Sequence, residues 1–350
     1  MICFLLEFFW LLGVVSLQAQ DSSCSQVGMI RSQALCRLDS ALSHTMPLSL
    51  RTYALQEGEL QKFSDPLPAL ASFEEEFGYF SCQHPLVGVV TQEAKDLEPV
   101  QKLLQSLMQE KDPKLLSLAV EEVLAKVLAY RNLEVGMRIY IPTELKKKSW
   151  ELVEYEVDTV LDLLYGMPAF GLLAQKQAKA PPLLLFRGTD LSLLSKKSWA
   201  SILCDLDVSG IGWTAFQSAE PQIKKWLEKA NSLRGPAKVV GFSLGGALSI
   251  YTALLEPSCL CRVVAFNSPG VSKSLFLLWG KEQLPPISFY AAQGDPVSKL
   301  GWIGPRAFEM AYKGSLGPIA AHTSLMTAKS PLFLFPIDLE QENKQRFIGK

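Results

Sequence analysis

Ser243 is the residue in this chain most clearly placed for nucleophilic chemistry. It stands in Gly241-Phe242-Ser243-Leu244-Gly245, the pattern Gly-x-Ser-x-Gly. Lys238-Val239-Val240 precedes it and reads as the end of a buried strand. Ala247, Leu248, Ile250, Tyr251, Leu254 and Leu255 follow at helical spacing, and Glu256-Pro257 closes that run. The segment predicts a strand, a tight turn carrying the serine, and a helix packed close to the strand. Glycine is needed at 241 and 245 because a side chain at either would push strand and helix apart. About 0.1 chance occurrences of the bare pattern are expected in a chain of this length, so its flanks carry much of the information.

A serine hydroxyl needs a general base, and the base needs an orienting carboxylate. After a strand–serine–helix turn the chain order is serine, then Asp or Glu, then His. The chain has three histidines, His44, His84 and His322, and only His322 follows Ser243. For the carboxylate, Asp295 lies in Gly294-Asp295-Pro296, directly after the strand-like run Ile287-Ser288-Phe289-Tyr290. A carboxylate just past a strand's C-terminal end lies on the edge where open α/β sheets keep their sites. Glu256, Glu282, Glu309 and the carboxylates of the last segment also follow Ser243. Glu256 ends the serine's own helix and should point away, Glu282 falls at a Lys/Gln-rich helix end, and Glu309 is the competitor.

An attacked carbonyl also needs donors for the oxygen that becomes negative. One is the backbone N–H after the nucleophile, that of Leu244; the other comes from a loop after an earlier strand. Leu183–Phe186 reads as a short buried strand and Arg187-Gly188-Thr189-Asp190 as its loop. Thr189 can offer both its N–H and its hydroxyl, with Asp190 holding the hydroxyl or capping the next segment.

These segments together resemble the class 3 lipase family, the fungal triacylglycerol-lipase-like branch of the α/β-hydrolases. The resemblance rests on LLLFRGTD (183–190), SWASILCDLDV (198–208), VVGFSLGGALS (239–249), RVVAFNSPGVS (262–272) and GDPV (294–297), and covers roughly residues 137–330. It implies an α/β-hydrolase with a mostly parallel sheet flanked by helices. It implies Ser243 as nucleophile, Asp295 as acid, His322 as base, and Thr189 and Leu244 as oxyanion donors. The chain departs from the family in three places. Phe242 stands where His usually precedes the nucleophile, Trp213-Thr214-Ala215-Phe216 replaces His-x-Gly-Phe, and Gly270 follows Ser268-Pro269 where Arg is common. His322 follows Asp295 at a distance of 27 positions, shorter than in the fungal enzymes.

The expected activity is cleavage of carboxylic esters of lipids by a serine lipase or esterase, through an acyl-enzyme and without a cofactor. A phospholipase or thioesterase would use the same residues, and a degenerate hydrolase that binds lipid or a partner is the non-enzymatic alternative. Leu191-Ser192-Leu193-Leu194-Ser195-Lys196-Lys197 follows the oxyanion loop, and its apolar residues beside two lysines suit either a small lid at a membrane or micelle surface or an ordinary amphipathic helix start.

The rest of the chain sets the context for these residues. With 350 residues and 48% hydrophobic content it can bury a large core. Net charge is −1, with no basic stripe and no nucleic-acid motif, which argues against a nucleic-acid partner. Residues 1–20 form an apolar run resembling a secretory signal peptide, although Glu7 interrupts it and no Lys or Arg precedes it. Export is the expectation. Of the seven cysteines, the six after Cys3 suit disulfides in an exported protein, and no Cys or His spacing is that of a zinc site.

Residues 21–136 read as a mainly helical N-terminal extension, 137–336 as the hydrolase domain and 337–350 as a polar tail. Asp112-Pro113 is a helix start, followed by the apolar face Leu116, Val120, Val123, Leu124 and Val127. The Pro-rich stretch 64–73 reads as a linker or loop.

Overall fold

The computed structural model describes residues 61–63, 67–77, 97–146, 149–164, 167–188, 211–272, 284–301, 307–312, 314 and 316–337. The leader-like run 1–20, Thr189 and Asp190, the lid segment 191–197, Glu282, Cys3, Cys24, Cys36, Cys82, Cys204 and the tail beyond Ile337 lie outside the described residues.

Among the described residues, ten strands form one sheet. They are β1 (Gln61–Phe63), β2 (Arg138–Lys146), β3 (Ser149–Leu163), β4 (Met167–Ala174), β5 (Leu183–Phe186), β6 (Ala237–Phe242), β7 (Leu260–Phe266), β8 (Ile287–Ala292), β9 (Ala307–Tyr312) and β10 (Leu332–Pro336), in the order β1-β10-β9-β8-β7-β6-β5-β4-β3-β2. From β5 to β9 neighbours run parallel. On both flanks the pairing is antiparallel: β4, β3 and β2 beyond β5, and β10 and β1 beyond β9.

The expectation of a mostly parallel sheet is thus corrected to a mixed one. The motif-bearing strands are the parallel ones, whereas β3 is a half-buried alternating strand of the antiparallel kind. Its Val153, Tyr155 and Val157 are buried while the residues between them face outward. A bulge between Val157 and Thr159 then reverses the alternation, so that Leu161 and Leu163 are buried on the opposite face.

Helices cover both faces: α1 (Pro68–Phe77), α2 (Leu97–Ser106), α3 (Pro113–Lys126), α4 (Trp213–Arg234), α5 (Leu244–Leu255) and the short α6 (Pro318–Thr323). Alternation along the parallel strands divides the core in two. Leu183, Leu185, Val240, Phe242, Val264 and Phe266 join the buried apolar residues of α1–α3. Leu184, Phe186, Val239, Val263 and Ala265 join those of α4 and α5. The helices of the N-terminal extension therefore form one of the two layers that sandwich the sheet, and β1 of the same region pairs with β10.

Local signals explain the helix starts. Asp112 caps α3, its carboxylate accepting from the N–H groups of Lys114 and Leu115, with Pro113 in the first turn. The reading of 64–73 as a linker is corrected by α1, which begins at Pro68 and buries Leu70 and Phe73. Proline suits a first helical turn because that N–H has no partner inside the helix.

Candidate active site

The C-terminal ends of β6, β7 and β8 place three polar residues side by side in the fold: Ser243 after β6, Asn267 after β7 and Asp295 just beyond β8. His322 comes from α6, between β9 and β10.

Ser243 is the residue between β6 and α5, and its backbone sits at φ 55° and ψ −128°. A non-glycine residue with positive φ is strained by about 1–3 kcal/mol and persists where its surroundings fix it. Here they do. Its N–H donates to the carbonyl of Phe266 at 3.0 Å, and its own carbonyl accepts from the N–H of Gly246 at 2.9 Å. The flanking glycines are required by close approach. A Cβ on Gly241 would lie 2.1 Å from the carbonyl oxygen of Gly245, and one on Gly245 would lie 2.4 Å from that of Phe186. The two glycines let α5 approach β5 and β6, and that approach points the serine outward.

His322 bridges the serine and the aspartate. Its Nε2 lies 3.0 Å from Ser243 Oγ, and its Nδ1 lies 2.9 Å from Asp295 Oδ1. Asp295 is fully buried, with Oδ1 accepting from the N–H of Val297 at 3.0 Å and Oδ2 from that of Ser298 at 3.2 Å. Its oxygens are thus acceptors, so the bond to His322 has Nδ1–H as donor. That tautomer leaves Nε2 with a lone pair facing the serine hydroxyl. A hydroxyl so placed can pass its proton to the imidazole as its oxygen attacks an electrophile, and the carboxylate holds and stabilises the resulting cation.

Two further residues fix the imidazole, and sequence reasoning gave neither of them that role. Asn267, at φ 45°, donates from Nδ2 to the carbonyl of Ala321 at 3.1 Å and to that of His322 at 2.5 Å; its Oδ1 accepts from the N–H of Ala292 at 2.8 Å. Phe242 packs on the His322 ring with centroids 4.9 Å apart. The available signal for Asn267 was its position: a polar residue ending an apolar strand, just before Ser268-Pro269-Gly270.

Leu244 opens α5 beside Ser243, so its N–H belongs to the positive end of that helix. The strand β5 leads into Arg187 and Gly188, which lie across the same helix end: a Cβ on Gly188 would be 3.3 Å from the nitrogen of Gly245. This loop is tied down from the N-terminal region. Arg187 donates from Nε to the carbonyl of Ala129 at 2.7 Å and from Nη2 to that of Arg131 at 2.5 Å, and Gly188 N–H donates to the Tyr130 hydroxyl at 3.1 Å.

The two competing carboxylates among the described residues lie elsewhere. Glu256 ends α5 and pairs with Lys224 of α4 at 3.1 Å, and Glu309 is buried on β9. Among the described residues, no group of three or more His, Cys, Asp or Glu side chains is arranged to hold a metal ion, and Cys259 and Cys261 are free thiols. Among the described residues, no helix is long and apolar enough to cross a membrane.

No protein-family model matches the sequence, and no curated protein matches it. Solved structures do. The chain is similar to Rhizomucor miehei lipase in its propeptide complex, with 13% identity, 65% of this chain and 73% of that one covered, and a TM-score of 0.44. A triacylglycerol lipase from Penicillium expansum is 15% identical over 59% of this chain and 81% of its own, with a TM-score of 0.33. EstE1, a thermophilic carboxylesterase cloned from a metagenomic library, is 12% identical over 64% and 90%, with a TM-score of 0.23. These likenesses are distant, and the chemistry of the site rests on its own geometry.

Proposed function

We propose that this chain is a serine hydrolase of the α/β-hydrolase fold that cleaves carboxylic esters of lipids. The observation that carries the reading is the double engagement of His322, with one ring nitrogen on the Ser243 hydroxyl and the other on a buried, backbone-held Asp295. A binding module has no need to hold a half-buried serine in a strained turn against an oriented imidazole.

In the proposed reaction Ser243 Oγ attacks the ester carbonyl while its proton moves to His322 Nε2. Asp295 steadies the imidazolium. The N–H of Leu244 and a donor from Thr189 bind the oxyanion, each donor contributing about 2.7–4 kcal/mol of transition-state stabilisation. His322 protonates the leaving alcohol, which departs. Water then gives a proton to His322 and attacks the acyl-enzyme, and Ser243 leaves with that proton restored.

A fluorophosphonate probe tests the nucleophile: it should label the full chain once, and Ser243→Ala should abolish labelling. The same variant should lower kcat toward a p-nitrophenyl ester by on the order of 10⁵–10⁶. Retention of a tenth of the activity would remove Ser243 from the reaction. A panel of esters of rising acyl length, presented as monomers and as micelles, reads the substrate class. Preference for long chains supports lipid esters, and exclusive turnover of short chains would replace the lipid assignment with a simple esterase.

A further inference from the structure

The main chain just beyond His322 is held by charged side chains of the N-terminal helices. Leu325 N–H donates to Glu74 Oε1 at 3.1 Å, Met326 N–H to Glu122 Oε1 at 2.9 Å, and Thr327 N–H to Glu122 Oε2 at 2.9 Å. The Thr327 hydroxyl donates to the same Oε2 at 2.6 Å. Lys126 Nζ donates to the carbonyl of Ser324 at 2.7 Å and pairs with Glu122 Oε1 at 2.8 Å. Glu74 belongs to α1, and Glu122 and Lys126 to α3.

The Glu122 and Lys126 side chains are 0% and 2% exposed. Removing two charges from water is costly, and apolar residues of similar volume often stabilise a core as well or better. Cohesion alone therefore gives no reason for a charged pair at this point of the sandwich. Such a pair can bind main chain, which apolar residues cannot. It takes two successive N–H groups, a hydroxyl and a carbonyl, all two to five residues beyond His322. Asn267 holds the carbonyls of Ala321 and His322 themselves. Lys126 Nζ also lies 5.4 Å from the ring centroid of Phe242, whose ring packs on the imidazole.

We propose that Glu122 and Lys126, with Glu74 as a more exposed third anchor, are positioning residues that set the place of the His322 imidazole. The N-terminal helices are on this reading part of the catalytic apparatus and not only a packing layer. The inference rests on the Ser243–His322–Asp295 reading above. A base displaced by about 1 Å costs up to 10²-fold in rate, and the loss should fall on kcat, because these three side chains hold main chain beyond His322.

The test compares kcat, KM and the rate of fluorophosphonate labelling in the full chain and its variants, with folding monitored by circular dichroism. Glu122→Ala should lower kcat and labelling by on the order of 10-fold to 10²-fold with KM little changed. Glu122→Gln keeps volume and one acceptor oxygen, and should recover part of that loss. Leu118→Ala, which opens a cavity in the same helix, should lower the melting temperature and leave both rates of the folded protein intact. Glu74→Ala reads the same effect at smaller amplitude if Glu122→Ala does not accumulate. Unchanged rates in the folded Glu122 or Glu74 variants, or losses matched by Leu118→Ala, overturn the proposal. His322→Ala run alongside separates the two readings. If it retains full rate, the assignment of the base fails; if it is inactive while the Glu122 variants work normally, only the positioning role fails.

Discussion

Asn267 donates its side-chain amide to the main-chain carbonyl of His322 at 2.5 Å while accepting, through Oδ1, the N–H of Ala292. One side chain thus ties the end of β7 to β8 and to the helix that carries the imidazole. Asn267→Asp keeps the shape and the acceptor, and puts an oxygen where the donor was, facing two carbonyls. We expect a loss of about 3 kcal/mol in urea denaturation, with kcat reduced and KM little changed. A variant of wild-type stability and rate would show the tie to be dispensable.

Ser243 holds a positive φ at a cost that only glycine avoids. Ser243→Gly and Ser243→Ala should both be inactive, yet the glycine variant should be the more stable of the two by about 1 kcal/mol. Thermal melting under identical conditions measures the difference. Equal melting temperatures would mean that the turn is not strained in solution.

In the proposed reaction the serine proton moves onto His322 Nε2, which lies 3.0 Å from the hydroxyl oxygen. His322→Ala should therefore lower kcat toward a p-nitrophenyl ester by on the order of 10⁵–10⁶. Retention of a tenth of that rate would exclude this imidazole as the base.

Some of this site was legible in the sequence because its determinants are local. The Gly-x-Ser-x-Gly spacing, the apolar run Leu183–Phe186 and the Asp112-Pro113 cap each act within a few residues, and the strand, turn and helix starts fall where they predict. The histidine count left one imidazole in the required order. What escaped is long-range. Glu122 and Lys126 are four residues apart on a helix, a spacing that reads as a solvated surface pair, and their main-chain partners lie about two hundred residues away. Asn267 looks like an ordinary turn residue until the carbonyls of α6 arrive beside it. Phe242 reads as a departure from the family pattern, and its contact with the imidazole depends on where His322 folds back. The alternating β3 lies far from any motif, which is why the mixed character of the sheet was missed.

Strand β1 is among the earliest described segments to be synthesised and β10 among the last, yet they lie side by side, with Gln61 opposite Leu334. Closing so long a loop is slow relative to local helix formation. Ser243, the proposed nucleophile, leaves the ribosome 79 residues ahead of His322, the proposed base. During synthesis the chain therefore carries a serine with no imidazole to activate it. The proposed site completes only when the segment that finishes the sheet has emerged. On that reading a chain interrupted before His322 carries the serine without its proton acceptor, and is inert toward the esters of the cell that makes it.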